Sequence, residues 1–388
     1  MMKNLKLLPF FFLALTLSCK HQKDENKQIV PDWTLGGFTR PEKVNPIIEP
    51  DSTASFLDPM SGKMVRWEEN DTFNPGAVVK DGKVCLLYRA EDKFGVGIGF
   101  RTSRLGLASS LDGIHFERSK TPVLYPDNDA QKSYEWPGGV EDPRLAVTED
   151  GTYVVIYTQW NRDVPRLGIA TSKDLVTWKK HGPIFKNAHY TKLVDTPHKS
   201  ASILTTVKND RLVITKWKGK YWMYWGEHGV SGATSENLVD WEPILDDKGE
   251  IAKFIMPRPG FFDSELTECG PPAILTDKGI LLLYNGKNHK KQGDKRFTLG
   301  TYSAGQVLFD KNDPTRVLKR LDVPFMRPME DFEKSGQYVD GTVFIQGLVY
   351  FHSKWFLYYG CADSKVGVSV FDPTDSTAFD PLPSSYGK

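Results

Sequence analysis

The sequence is short of charge imbalance, of cysteine and of long apolar runs, and each shortage removes a class of protein. Lysine and arginine number 50 against 49 aspartates and glutamates, a formal charge of +1, so neither a nucleic acid nor an anionic surface is implied as partner. The 4 cysteines, Cys19, Cys85, Cys269 and Cys361, give no disulfide framework. With Cys19 set apart in the leader, the other three cannot all pair within one chain. None has zinc-type spacing and the 8 histidines are scattered, so neither a metal nor a cofactor is expected. The apolar run Leu7–Leu17 is too short to span a bilayer as a helix. The 33 glycines and 25 prolines, with frequent aromatics and short apolar stretches, favour strands and turns over long helices.

What is present begins with a leader. Lys3 and Lys6 precede the apolar run, Ser18 and Cys19 follow it, and a charged stretch runs from Lys20 to Lys27. The pattern reads as an export signal, and it resembles a bacterial lipoprotein signal whose cysteine is lipidated after cleavage. Residues 1–18 are therefore expected to be removed, and 19–45 to form a polar tether and N-terminal extension. The expected location is the periplasm or outer membrane of a Gram-negative bacterium, with membrane contact only through lipid on Cys19.

A repeat decides the architecture. Ala108–Phe116 (ASSLDGIHF), Ala170–Trp178 (ATSKDLVTW) and Ala233–Trp241 (ATSENLVDW) align without gaps, and weaker echoes follow at Thr301–Ser303 and Val368–Val370. Each repeat also holds an apolar strand ending in an aromatic residue: VCLLYRA, YVVIYTQ, YWMYWGE, ILLLYNG and WFLYYGC. Short strands between turn signals such as Asp81-Gly82 and Asp150-Gly151 read as antiparallel blades. The expectation is an all-β, five-bladed β-propeller over residues 46–388, with Trp178 and Trp241 packing the blades.

In a propeller, the leading end of each innermost strand and the loop after the second strand converge on one mouth. Those positions collect Asn74, Arg89, Glu91, Asp92, Glu141, Asp142, Arg144, Gln159, Lys199, Glu227, His228, Glu268, Asn285, Asp340 and Asp363. Such a polar ring is poorly explained by packing, since buried charge is costly, and it suits a hydroxyl-rich ligand. Adjacent residues of a strand face opposite ways, so only one of Glu141 and Asp142 is expected to address the channel. Glu227 and Glu268 add acids from two further blades. An inverting glycosidase needs such a set, one carboxylic acid and one carboxylate that activates water.

FNPGA (Phe73–Ala77), LLYRAED (Leu86–Asp92), GVEDPR (Gly139–Arg144), the GPP of Gly270–Pro272 with LLLYNG, DPTRVLKR (Asp313–Arg320) and YYGCADSKVGVS (Tyr358–Ser369) together resemble glycoside hydrolase family 130, the β-mannoside phosphorylases and related β-mannosidases. The resemblance implies a five-bladed propeller. It implies Asp142 as the general acid, acting through a sugar hydroxyl, and Asn74, Arg89, Arg144 and Asp363 as mannose contacts, with Lys199 of the ring beside them. Three departures stand out. Where phosphorylases of the family carry a His-Arg pair, a lysine and the histidine of a YHG motif, this chain reads Trp225-Gly226-Glu227, Leu266-Thr267-Glu268 and Tyr284-Asn285-Gly286. Acids repel phosphate and can polarise water instead. The expected activity is an inverting, exo-acting, phosphate-independent β-1,2-mannosidase on mannose-containing oligosaccharides, with Glu227 or Glu268 as base. The alternatives are a β-mannoside phosphorylase and a non-catalytic glycan-binding surface lipoprotein.

Overall fold

The computed structural model describes residues 30–375 and 379–380; the leader and Cys19 lie outside the described residues. The chain is nearly all β, with a single four-residue α-helix at Lys132–Glu135 among the described residues. The aromatic-ended strands expected from sequence are there: Lys83–Glu91, Tyr153–Trp160, Lys220–Trp225, Ile280–Lys287 and Lys354–Cys361. Each is flanked on both sides by antiparallel partners, the first by Asp71–Lys80 and Ser103–Ser110 and the last by Val343–Phe351 and Lys365–Phe371. Parallel bridges at Ser103–Gly139 and Leu204–Ala273 fuse neighbouring sets into sheets of eight and eleven strands.

The apolar core lies between successive sets. One cluster packs Leu87 and Leu105 of the first set against Val155 and Tyr157 of the second. Another packs Leu86 and Tyr88 of the first against Phe356 and Tyr358 of the last, so the last set returns to the first.

The repeat in the sequence marks one turn made three times. Asp112, Asp174 and Asn237 each accept two backbone N–H bonds from residues two and three positions on, as short polar side chains do in turns. The next position is left-handed, Gly113, Leu175 and Leu238 at φ +78°, +70° and +67°. Trp178 and Trp241 close the turn by donating from Nε1 to the carbonyls of Leu175 and Leu238, both at 3.1 Å. Both tryptophans pack within the sheets, as expected.

Of the segment 19–45, expected as a polar tether and N-terminal extension, the described residues begin at Val30 and pack on the sheets. Phe38 is buried against Phe325, Thr39 pairs with Val370, and Ile48 pairs with Val366 on the outer strand of the last set. Arg40 is clamped by Glu333 at 2.6 Å and Asp380 at 3.0 Å. The N-terminal extension is thus part of the domain from Val30 onward, with Val30, Trp33 and Leu35 against its core and Leu35 N donating to Gln306 at 2.9 Å, and its bridges to Val370 and Val366 cover the outer strand of the last set.

Candidate active site

The innermost strands reach the centre through bulges. Register slips between Phe73 and Gly76, between Glu141 and Arg144, and between Ile345 and Gly347. At the first two, Asn74 and Asp142 take left-handed backbone, φ +47° and +50°, each just before a proline. Asn and Asp are the non-glycine residues that best tolerate this region, and a bulge re-aims a side chain. Strict alternation would send one of Glu141 and Asp142 away from the channel. The bulge overrides it, and both line the same cavity of ≈ 320 Å³.

Asn74, Arg89, Lys199, Glu227, Glu268 and Asp363 line that cavity as well. Arg89 organises one wall. It donates to Glu91 at 2.6 Å, Glu141 at 2.9 Å and Asp142 at 3.1 Å, and its guanidinium lies over the Phe73 ring at 4.7 Å. Asn74 Nδ2 donates to the same Asp142 oxygen at 2.9 Å. Burial pushes the Asp142 carboxyl up, but Arg89, Lys199 and the Asn74 bond outweigh it and hold its pKa at about 2. Lys199 stands 3.6 Å from Glu141. Burial alone would lower its pKa, and the carboxylates Glu141, Asp142 and Glu227 hold it above the ordinary lysine value instead.

The opposite wall behaves the other way. Glu268 is buried and pushed up to about 8, by burial first and then by the charge of Glu227. Ser200 Oγ donates to it in a short hydrogen bond. Glu227 is more open, its side chain 27% exposed, with His228 at 3.9 Å. Asp363 is raised to about 7 by burial and by Asp142, against the pull of Arg89. Acidic groups whose environments drive their pKa values apart are the mark of an acid–base site.

Arg144, expected to hold mannose, is not among the described residues that line this cavity. Its guanidinium donates to the carbonyls of Cys269 at 2.6 Å and Gly270 at 2.8 Å and to Ser200 Oγ at 2.9 Å, and lies 3.6 Å from Glu268. It braces the floor under Glu268. Other members of the expected ring are also turned to structure: Asp92 pairs with the buried Arg104, Gln159 donates to Glu135, Asn285 exchanges two bonds with the Ile345 backbone, and Asp340 pairs with Lys290. The sequence reading missed Tyr302 and Tyr338, which line the cavity edge-to-face with centroids 5.7 Å apart. Tyr302 sits inside the Thr301–Ser303 echo, where the repeat drew attention to the turn and not to the ring.

A family model described as β-1,4-mannooligosaccharide phosphorylase matches residues 43–375. The chain belongs to glycoside hydrolase family 130. A 1,2-β-oligomannan phosphorylase of Thermoanaerobacter sp. (strain X514) is 32% identical over 80% of this chain and 92% of its own. Among solved structures, one described under the statement that the GH130 family of mannoside phosphorylases contains glycoside hydrolases that target β-1,2 mannosidic linkages in Candida mannan is 62% identical. Its TM-score is 0.91, with 92% of this chain and 99% of that one covered. A glycosyl hydrolase from Bacteroides ovatus is 60% identical at TM-score 0.91, covering 93% and 100%. GH130 enzymes act on β-mannosidic linkages.

Proposed function

We propose that the protein is an inverting, exo-acting β-1,2-mannosidase that uses water and not phosphate, built on a five-bladed β-propeller. The observation that carries this reading is the charge of the cavity. Among its described lining residues two cations, Arg89 and Lys199, face six carboxyl groups, Glu91, Glu141, Asp142, Glu227, Glu268 and Asp363. Both cations already pair with carboxylates. A phosphate dianion arriving there meets net repulsion. A sugar meets acceptors for its hydroxyls and a guanidinium that fixes them. The phosphorylase reading, favoured by the names of the curated relatives, finds no unpaired cation among the described lining residues of this cavity.

In this mechanism Asp142 delivers the proton to the departing oxygen and Glu227 takes one from the attacking water. Glu227 is assigned as base over Glu268 because its side chain is the more open to an attacking water, whereas Glu268 is buried, bound by Ser200 and 3.6 Å from Arg144, and burial with the charge of Glu227 favours its protonated form. Glu268 then orients the water. Asn74, Arg89, Lys199 and Asp363 hold the mannosyl unit, and Arg144 supports Glu268 from below.

The test is product analysis of β-1,2-mannobiose digests. Free mannose should appear at the same rate in phosphate-free buffer and in added phosphate, and proton NMR of the first product should show the α-anomer. Mannose 1-phosphate would refute the hydrolase reading, and initial β-mannose the single displacement.

Export with a lipid anchor on Cys19, in the periplasm or outer membrane, remains part of the proposal. It rests on the leader alone, Lys3 and Lys6 before Leu7–Leu17 and then Ser18-Cys19. Mass spectrometry of the membrane-extracted protein should find a mature chain that begins at an acylated Cys19. An unmodified mature N-terminus elsewhere would refute it.

A further inference from the structure

Between the strands Lys83–Glu91 and Ser103–Ser110 the chain carries the loop Lys93–Phe100, KFGVGIGF. It is two turns in series, with Val96 N donating to Lys93 O at 3.1 Å and Phe100 N to Gly97 O at 3.2 Å. Gly95 and Gly99 are left-handed, φ +80° and +87°. A Cβ on Gly95, Gly97 or Gly99 would meet nothing within 4 Å, so the loop does not bury itself against the sheet. It is held by its backbone instead. Arg101 Nε donates to Val96 O at 2.7 Å and Arg162 Nη2 to Phe100 O at 2.7 Å. The side chains are left outside: Phe94, Ile98 and Phe100 are 79%, 61% and 66% exposed.

Three large apolar side chains exposed on one eight-residue loop mark a contact surface. Its position says what it touches. Ile98 and Gly99 line the same cavity as Asp142 and Glu227, as do Trp160 and Pro165. The carboxyl-rich part of the cavity suits sugar hydroxyls, whereas an apolar lip suits the C–H faces of a pyranose ring. We infer that the loop Lys93–Phe100 is the docking platform for the leaving side of a β-mannan oligosaccharide. Ile98 meets the first sugar beyond the cleaved bond, and Phe94 and Phe100 extend the surface to the next. This rests on the mannosidase reading above.

A membrane surface is the weaker fit. Segments that lie in a lipid interface flank their apolar residues with lysine and arginine. This loop has Lys93 alone, because the adjoining Arg101 is bound to Asp71 at 2.5 Å and Glu91 at 3.0 Å. The same Glu91 pairs with Arg89, which holds Asp142, so the loop is seated on the network that positions the proposed acid.

The test compares the wild-type chain with the triple variant Phe94→Ser, Ile98→Ser, Phe100→Ser. For β-1,2-mannotriose, KM should rise at least about tenfold with kcat within about twofold, as expected when binding common to ground and transition states is lost. The inhibition constant of free mannose, which fills the reacting position only, should not move. An unchanged KM overturns the inference. So does an equal weakening of mannose, which would mean that the loop merely supports the cavity. Sedimentation with phosphatidylcholine–phosphatidylglycerol vesicles reads the other partner: vesicle binding lost in the variant with KM unchanged assigns the loop to lipid and overturns the platform. If the wild type cleaves no mannoside, the mannosidase reading fails separately. Mannotriose titration followed by tryptophan fluorescence then decides the platform, weaker binding by the variant upholding it and equal binding overturning it.

Discussion

Asp142→Asn should lose roughly 10² to 10⁴ of turnover on β-1,2-mannobiose, the range for a deleted general acid, and far less on an activated aryl β-mannoside whose leaving group needs little protonation. Asparagine keeps the volume and can still accept from Arg89 and Asn74, so the fold should survive and the loss can be read as chemistry. The structure sharpens this expectation. With its pKa held at about 2 by Arg89, Lys199 and Asn74, Asp142 is a carboxylate at neutral pH before substrate binds, while Glu268 holds a proton up to about pH 8. Asp142 can donate only in the fraction of molecules where it is protonated. That fraction grows as a bound sugar strips water from the carboxylate, because desolvation favours the neutral form. It shrinks as pH rises. For the natural substrate, kcat/KM should therefore fall with rising pH through neutrality, and the decline should be shallower for the activated substrate. Equal losses on both substrates in Asp142→Asn would remove the acid role and leave Asp142 a binding residue.

The sequence carried the all-β character, the strands and the repeated turn well because those signals are local. Asp112, Asp174 and Asn237 each close a turn with their own neighbours, so the same chemistry recurs in the same letters wherever the chain makes that turn. The apolar runs that end in Tyr or Trp are central strands, buried on both faces, and their composition says so. The site was legible as a set of polar positions, not as contacts. Alternation along a strand is a rule for regular backbone, and it fails at Glu141 and Asp142 because the chain bulges there. Arg144 and Arg89 look alike in sequence, yet one is braced beneath Glu268 by two carbonyls and Ser200 and the other faces the cavity. Arg144 is turned by partners more than 50 residues away, whereas Arg89 pairs with Glu91 two residues on as well as with the distant Glu141 and Asp142, and no local pattern records the difference. Tyr302, Tyr338 and the KFGVGIGF loop were passed over for a related reason. A tyrosine in a strand and a glycine-rich turn are ordinary features until the fold sets them beside a ring of acids.

The two glutamates should separate in three measurements. Glu227→Ala is expected to lose activity on mannobiose and on the activated aryl mannoside alike, because water must be activated whatever departs, and added azide should restore turnover by filling the vacated space as a nucleophile. Glu268→Gln should also be strongly impaired on both, without azide rescue, since Glu227 remains. The pH dependence follows from the physical coupling. Part of the upward shift of Glu268 comes from the charge of Glu227, so Glu227→Gln should move the alkaline limb of Glu268 ionisation to lower pH. The sign for stability is equally definite. Glu268 is raised from its ordinary 4.5 to about 8, so between those values the folded state binds more protons than the unfolded chain, and stability falls as pH rises through that window. A neutral amide escapes the penalty. Relative to wild type, Glu268→Gln should gain little at pH 5 and on the order of a few kcal/mol at pH 8.5, read from denaturant midpoints at the two pH values. An enzyme made more stable and less active by one substitution would show the buried, proton-holding carboxyl maintained for chemistry. If Glu268→Gln instead accepts azide rescue while Glu227→Ala does not, the base is Glu268, and Glu227 is left to place the water.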